Sequence, residues 1–315
     1  MNQDVLVRAE QLYRYYGEHC AVKDVSFDVR RGEVLGLLGP NGAGKSTTMQ
    51  ILTGNLAPSS GQVWINGIDL LDKPKQAKHG LGYLPEDPPL YRELAVKEYL
   101  SLCARLNRIP QNQQASAVEM VIERCGLKDV TYRLIGNLSK GYQQRVGIAQ
   151  AIIHSPAVII LDEPTVGLDP IQIREIRDLI RQLAQEHSVI LSTHILPEVQ
   201  AICDRVQIIN QGKLVLTDTI VGLSQRMQTT SILIKLDNPP TKEMLMSLKG
   251  IDSIDIERDG RIRLCYGPEQ DPVDELVYRS VNEGWRLREL TPERHTLEEI
   301  FVAITQTQDS QEIVS

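Results

Sequence analysis

One stretch of the sequence constrains the chain more than any other. Residues 39–47 fit the pattern G-x-x-x-x-G-K-[ST], which forms a phosphate-binding loop. The apolar residues 34–38 before the stretch predict a buried strand, and residues 46–52 after it predict a helix. A loop between a strand and a helix points its amide N–H groups and the helix N-terminus at an anion. The stretch therefore predicts a nucleotide phosphate site.

The side chains of this loop have different expected roles. We expect Lys45 to reach the β- and γ-phosphates and the Ser46 hydroxyl to ligate Mg²⁺. Glycines let the backbone approach a phosphate closely and adopt positive φ. The other loop residues expected to contact the nucleotide are Gly39, Pro40, Asn41, Gly42, Ala43, Gly44 and Thr47.

Composition narrows the classes of protein that fit. With 315 residues, 42% of them hydrophobic and 24% charged, the chain suits a soluble protein of two domains. A formal net charge of −7 argues against a nucleic-acid partner. The five cysteines form no C-x-x-C pair, so a reduced, cytosolic compartment is expected. No apolar run is long enough to span a membrane, so a membrane role would need a partner.

Two more predicted strands end in polar groups. Residues 157–161 form a continuous apolar run, as in a central parallel strand, and Asp162 and Glu163 follow directly. Asp162 suits Mg²⁺ binding and Glu163 suits activation of water; the alternative is a solvated acid pair. Residues 188–193 predict another strand with His194 at its tip. A single histidine there is often structural, but beside the other groups we interpret it as functional.

A helical insertion separates the phosphate loop from the acid pair. Apolar residues recur at helical spacing over residues 96–106 and 115–125, and Gly126 is expected to end the second helix. We place this helical subdomain at about residues 88–150.

Two further residues, Ser139 and Tyr16, have two interpretations each. Ser139 suits the N-cap of a helix through residue 153, which alone would explain it without a binding role. Tyr16 suits stacking on an adenine face, or a half-buried position at a strand end. Asp169 lies in a turn before a predicted helix.

The pattern of the chain changes after a polar connector at residues 222–230. Predicted strands and helices follow in the order β-α-β-β-α-β, with a hairpin at Asp259-Gly260, which indicates a small α+β ferredoxin-like domain over residues 231–305. A capping box at residues 296–299 predicts a last helix, and residues 306–315 are expected to be a disordered tail.

Taken in order, these motifs resemble those of the ATP-binding subunits of ABC transporters. The matching features are residues 39–47 (Walker A), residues 158–163 (Walker B), the switch histidine His194, the signature at residues 138–142, the D-loop residue Asp169 and the adenine-stacking aromatic Tyr16. The resemblance covers roughly residues 5–220. It implies an α/β P-loop NTPase fold of the ABC ATPase type over residues 5–221.

The sequence departs from the family pattern at two motifs. In the signature, Lys140 and Tyr142 replace the usual Gly and Gln, whereas Ser139 and Gly141 remain. Glu86 stands where the family usually has the Q-loop glutamine. Residues 82–86 and a C-terminal extension at residues 294–301 resemble the ABC-2 exporter branch, which includes gliding-motility, multidrug and sodium-exporter types.

The resemblance implies a mechanism and a set of partners. Two copies would face head to tail around two Mg-ATP, each ATP lying between one phosphate loop and the other copy's Ser139 and Gly141. Glu163 would activate the water, and His194 would contact the γ-phosphate. An integral membrane permease would hold the chain at the inner face of the cell membrane and determine the substrate. Glu86 would either reach the metal or couple to the permease, and we favour coupling.

Other classes of protein share the loop. ABC proteins of translation usually carry two such domains, and those of DNA repair carry coiled coils or zinc motifs, whereas this acidic chain has neither. A phosphotransferase would lack the signature and the strand that ends at His194. A ligand-regulated C-terminal domain would add to an ATPase function and not replace it.

Overall fold

The computed structural model describes residues 5–226, 231–257, 259–267 and 270–293. The chain divides into two compact units, Met1–Ile220 and Val221–Ser315. Among the described helices, none combines the length and the apolar character needed to cross a membrane.

The first unit contains ten strands and most of the helices. Its strands are β1 (Val5–Tyr16), β2 (His19–Arg30), β3 (Val34–Leu38), β4 (Ser60–Ile65), β5 (Ile68–Asp69), β6 (Leu81–Leu84), β7 (Val158–Asp162), β8 (Ser188–Thr193), β9 (Arg205–Asn210) and β10 (Lys213–Thr219). Its helices are α1 (Lys45–Leu52), α2 (Pro74–His79), α3 (Val96–Leu106), α4 (Gln111–Arg124), α5 (Lys140–Ile152), α6 (Pro170–Leu183) and α7 (Leu196–Ile202), and α8 (Ile220–Arg226) follows.

A six-stranded sheet in the order β10-β9-β3-β8-β7-β6 carries the functional segments. Four of its five pairings are parallel and join β9, β3, β8, β7 and β6, so these strands end at one edge of the sheet. The β10–β9 pairing is antiparallel. Leu38 pairs with Thr193, and Asp162 pairs with Ser192. The phosphate loop, the acid pair and His194 therefore begin side by side, as expected for the carboxyl ends of parallel strands.

A second sheet, in the order β2-β1-β4-β5, packs behind the phosphate-loop helix. Leu6, Val25 and Val29 of its long strands share one buried cluster with Met49 and Leu52 of α1. This apolar contact fixes the direction of α1 and thereby the position of the loop before it.

The helical subdomain packs α3, α4 and α5 through apolar side chains that include Val96, Leu100, Val121 and Ile122. The bounds of α3 match the prediction, whereas α4 begins at Gln111, earlier than the predicted start, because its first turns are polar. Apolar spacing does not detect such turns.

Some elements of the first unit were not predicted. The short segments β5, α2 and α7 were missed, and α2 buries only Ala77, too little for a periodic signal. In strand β1, register shifts and the positive φ of Gln11 interrupt the alternation that marks a strand in sequence. The first residues of the predicted connector at 222–230 are helical, since α8 continues to Arg226.

The second unit contains β11 (Ser231–Leu236), α9 (Lys242–Met246), β12 (Ile251–Ile256), β13 (Ile262–Tyr266), α10 (Val273–Asn282) and β14 (Leu287–Glu293). Its antiparallel sheet has the order β12-β13-β11-β14, which is the ferredoxin-like arrangement that was predicted. Ile232, Leu264, Leu276 and Trp285 lie in its core. The predicted last helix, the extension at residues 294–301 and the tail at 306–315 fall outside the described residues.

Candidate functional site

The loop between β3 and α1 depends on glycine at its two ends. A Cβ atom at Gly39 would lie 2.4 Å from the carbonyl oxygen of Ile209, and one at Gly44 would lie 2.5 Å from that of Ala21. Gly44 also has a φ of +105° and Gly42 a φ of +80°. Larger residues would be strained here, so the backbone stays close-packed with its N–H groups at the start of α1.

Lys45 begins α1 and turns its ammonium group back into the loop. Its Nζ donates hydrogen bonds to the carbonyl oxygens of Gly39 at 2.8 Å and Pro40 at 3.1 Å. The same Nζ lies 3.4 Å from Oε1 of Glu163, and both side chains are buried, with 5% and 7% of their surface exposed. The cation thus links the phosphate loop to the acid pair.

Glu163 has an unusual backbone conformation immediately after β7. Its φ is +47°, in the left-handed region, which costs a non-glycine residue about 1–3 kcal/mol. Its N–H donates to the carbonyl oxygen of Ser192 at 3.1 Å and to the hydroxyl of Ser192 at 3.0 Å. Its Oε2 lies 2.9 Å from Nδ1 of His194. The turn therefore directs the carboxylate at both Lys45 and His194.

Asp162, the last residue of β7, is a buried carboxyl group with a raised pKa. Burial is the largest cause, and the charges of Glu163 and Glu86 add to it. Hydrogen bonds from the hydroxyls of Ser192 and Ser46 act in the opposite direction. Negative charge is therefore concentrated at this edge of the sheet, where a cation would relieve it.

Most of the predicted site residues meet in one cleft of about 580 Å³. The residues that line it are Tyr16, His19, Ala21, Asn41, Gly42, Gly44, Lys45, Ser46, Thr47, Glu86, Glu163, Val166 and His194. Asp162 lies beside the cleft, where its carboxyl group forms a hydrogen bond with the side chain of Ser46. The arrangement offers a lysine and backbone N–H groups to phosphates, and a carboxylate–imidazole pair to a water molecule.

Tyr16 is at the rim of this cleft and is 47% exposed. The guanidinium carbon of Arg14 lies 4.8 Å from the centroid of its ring. One face of the ring is therefore covered by a cation, and a base would have to stack on the other face.

The oxygen atoms of Ser46 and Asp162 suit a hard divalent cation. Mg²⁺ is usually held by one or two protein groups together with phosphates and waters, and not by a cage of side chains. Consistent with that, the described part of the chain has no group of three His, Cys, Asp or Glu residues arranged around a metal. Their proximity at the cleft fits Mg²⁺ bound together with a nucleotide.

The predicted residues that do not line this cleft are Gly39, Pro40, Ala43, Asp162, Ser139, Gly141 and Asp169. The last three lie outside the phosphate loop and the acid pair. The Ser139 hydroxyl caps α5 by accepting a hydrogen bond from the N–H of Tyr142 at 3.4 Å. Asp169 caps α6 by accepting from two N–H groups at 3.0 and 2.9 Å. Gly141 lies where a Cβ would be 2.8 Å from the side chain of Gln172. Within one chain, these residues have structural contacts of their own.

Glu86 lines a second cleft as well as the first. This cleft, of about 500 Å³, is also lined by Asp87, Pro88, Arg92, Lys140, Gln143, Gln144 and Val166. Glu86 thus lies on the boundary between the nucleotide cleft and the helical subdomain.

Two contributors to the site were missed in the sequence. The Ser192 hydroxyl accepts a hydrogen bond from the N–H of Glu163 and donates one to the carboxyl of Asp162. The sequence feature that could have indicated this role is a hydroxyl residue at the end of an apolar strand. His19 lines the cleft from the start of β2, where nothing in the local sequence marks it.

Comparison with known proteins agrees with this geometry. The ABC transporter family matches residues 22–166. The bacitracin transport ATP-binding protein BcrA of Bacillus licheniformis is 33% identical over 302 residues, which cover 95% of this chain and 97% of BcrA. The linearmycin resistance ATP-binding protein LnrL of Bacillus subtilis is 29% identical over 305 residues, covering 95% and 98% of the two chains.

A solved structure of an ATP-binding subunit of an ABC transporter is similar to the first unit. It superposes with a TM-score of 0.64 at 32% identity and covers 70% of this chain and 92% of that one. The near full-length similarity to BcrA agrees with a cleft that brings together the phosphate loop, Glu163 and His194. The chain therefore belongs to the ABC transporter family, as an ATP-hydrolysing ATP-binding subunit.

Proposed function

We propose that this subunit powers an ABC-2 type membrane exporter by closing head to tail with a second copy around two Mg-ATP. The observation that carries the proposal is the convergence of Lys45, Glu163 and His194 in one cleft. We assign ATP hydrolysis to residues 5–221 and an accessory role to residues 231–305.

The chemistry follows from the contacts of each side chain. Lys45 binds the β- and γ-phosphates, and Ser46 and Asp162 hold Mg²⁺. When bound, Mg²⁺ neutralises charge on the phosphate oxygens. Glu163 accepts the proton of the attacking water. His194, whose Nδ1 lies 2.9 Å from Oε2 of Glu163, orients the Glu163 carboxylate and contacts the γ-phosphate.

The second copy supplies the signature residues. Ser139 and Gly141 lie at the N-terminal end of α5, away from the cleft that Lys45 lines in the same chain. The N-terminus of a 13-residue helix attracts a phosphate, so α5 of one copy suits the γ-phosphate held by the other. Asp169, at the start of α6, would lie at the same junction.

The membrane partner is inferred from exposed apolar residues and from relatives. In the helical subdomain, Tyr91, Leu106, Tyr132 and Leu134 are exposed, as expected of a surface that another protein covers. BcrA is named for bacitracin transport and LnrL for linearmycin resistance, and these names support a role of the chain in transport. We place the chain in the cytoplasm, held at the inner face of the membrane by a permease.

Mixed dimers test the head-to-tail arrangement. Lys45→Ala should weaken phosphate binding, and Ser139→Arg should block the contact across the dimer. Each variant alone should lose ATP hydrolysis. In a dimer with one copy of each, one site lacks both groups and the other keeps both, so hydrolysis should partly recover.

Mixing must be verified independently, for example by affinity purification through a tag on one variant. With random mixing of equal amounts, about half of the dimers are mixed, and each mixed dimer has one of its two sites intact. We therefore expect recovery to about a quarter of wild-type turnover. Verified mixed dimers without turnover would contradict the shared site. Wild-type turnover by Lys45→Ala alone would contradict the assignment of the phosphate loop.

A further inference from the structure

Glu198, which the proposed mechanism does not use, is a buried carboxylate beside the site. It lies in the first turn of α7, and 0% of its side chain is exposed. A buried carboxylate is unfavourable unless hydrogen bonds or a cation stabilise it. Its partners therefore indicate what it stabilises.

The two oxygens of Glu198 contact three other segments. The Thr193 hydroxyl at the end of β8 donates to Oε2 at 2.8 Å. The Thr165 hydroxyl, in the loop after β7, donates to Oε1. Nη2 of Arg177 in α6 lies 3.6 Å from the same Oε1. One carboxylate thus connects the ends of two neighbouring strands to two helices.

The two threonines are adjacent in sequence to the acid–histidine pair. Thr193 directly precedes His194, and Thr165 follows Glu163 by two residues. The Thr193 hydroxyl also accepts a hydrogen bond from the N–H of Ile195 at 3.0 Å. Glu198 therefore holds the backbone around His194 from one side and the loop that follows Glu163 from the other.

The backbone of Glu163 makes this support necessary. A non-glycine residue with a φ of +47° keeps that conformation only when its surroundings determine it. The N–H of Val166 donates to the carbonyl oxygen of Glu163 at 3.2 Å, and Thr165 is fixed by Glu198. The loop and the strand tip meet where Oε2 of Glu163 lies 2.9 Å from Nδ1 of His194.

We propose that Glu198 is a positioning residue which, through Thr165 and Thr193, sets the alignment of Glu163 with His194 for ATP hydrolysis. The inference rests on the proposed roles of those two residues. Glu198 itself does not line the nucleotide cleft. Its loss should therefore impair turnover much more than nucleotide binding.

Valine substitutions of the threonines test this alignment. Thr165→Val and Thr193→Val each remove one hydroxyl donor while keeping the shape of the side chain. Each should lower kcat by about tenfold and change the KM for Mg-ATP by less than about twofold, because the phosphate-loop contacts are retained. Thr165→Ser and Thr193→Ser keep the hydroxyl and should recover most of the lost turnover.

Thr53→Val is a matched control. Thr53 is buried after the end of α1, and its hydroxyl donates to the carbonyl oxygen of Gln50 at 3.1 Å. The substitution also removes one buried hydroxyl hydrogen bond, but away from the cleft, and should leave kcat unchanged. Thermal unfolding of all variants shows whether lost turnover merely follows lost stability.

A double-mutant cycle separates positioning from a general structural role. In a His194→Ala background there is no imidazole to align, so adding Thr193→Val should reduce single-turnover hydrolysis by less than about twofold. Equal losses by Thr193→Val with and without His194 would overturn the proposal. If a valine variant does not fold, Glu198→Gln takes its place in the test. Glutamine keeps the side-chain size and one acceptor oxygen, and we expect the same loss of kcat.

The two proposals fail in different ways. Normal kcat in both valine variants of an active chain would overturn the role of Glu198 and leave the proposed function intact. A wild-type chain that does not hydrolyse Mg-ATP would overturn the proposed function itself.

Discussion

The buried ion pair between Lys45 and Glu163 gives a prediction about both stability and binding. The two side chains are 5% and 7% exposed, and Nζ lies 3.4 Å from Oε1. Lys45→Met keeps most of the length of the side chain but removes the ammonium group. The change isolates the charge from the packing of the stem.

The expected loss of stability follows from the charge left behind. Removing one partner of a buried ion pair costs about 3–5 kcal/mol, because the other charge stays buried and uncompensated. Glu163 keeps His194 at 2.9 Å, so we expect the lower end, about 3 kcal/mol. For a unit of this size, that corresponds to a fall in Tm of about 6–12 °C.

Glu163→Gln should reverse the loss of stability but not the loss of binding. In the double variant Lys45→Met/Glu163→Gln no charge is stranded, so unfolding should return to within about 1 kcal/mol of wild type. Affinity for Mg-ATP should stay about 30- to 150-fold below wild type, equivalent to about 2–3 kcal/mol for a charge-assisted phosphate contact.

Calorimetry measures both effects. Scanning calorimetry without nucleotide gives Tm, titration calorimetry with Mg-ATP gives Kd, and Glu163→Gln alone is the control. A Tm of Lys45→Met within about 2 °C of wild type would refute the argument from the ion pair. Wild-type affinity in the double variant would show that Lys45 does not bind the phosphates.

Three further predictions concern the acidic residues. Glu163→Gln should bind Mg-ATP, hydrolyse it at less than about 1% of the wild-type rate, and elute as a dimer from a sizing column with Mg-ATP; monomeric elution with normal turnover would contradict its role. A carboxyl group with a raised pKa stabilises the fold at pH below its ordinary value of 3.8 and loses that contribution as pH rises through the raised value. Without Mg²⁺, Asp162→Asn should therefore have a larger free energy of unfolding than wild type at pH 7, and this difference should shrink toward pH about 4. Denaturant titrations measure the difference, and a difference that does not change with pH would contradict the prediction. Glu86→Gln should leave ATP hydrolysis by the isolated subunit nearly unchanged but reduce its stimulation by the permease, whereas a raised Mg²⁺ requirement would place Glu86 at the metal.

Local sequence predicted the parts of the fold that depend on local physics. The strand that enters the phosphate loop matches β3, and the helix predicted at residues 96–106 matches α3, because continuous apolar runs and helical spacing are unambiguous there. Lys45, Glu163 and His194 lie in one cleft because parallel strands end at one edge of a sheet.

What the sequence could not predict depends on contacts between distant segments. Glu198, in a short helix that contains a proline, has the sequence of a solvated turn, yet it is fully buried and contacts the loop after β7, the end of β8 and α6. The same holds for Thr165, whose hydroxyl donates to a carboxylate 33 residues further along the chain. Thr193 donates to the same carboxylate from the end of β8. Only the packing of three elements shows that they share one carboxylate.

The charges around Glu86 connect its two possible roles. Its carboxylate is close enough to Asp162 to help raise the pKa of that group, so any movement of Glu86 changes the field at the proposed metal ligand. It also lines the second cleft together with Lys140 and Arg92 of the helical subdomain. A glutamine carries no charge, so Glu86→Gln would remove this contribution to the field at Asp162.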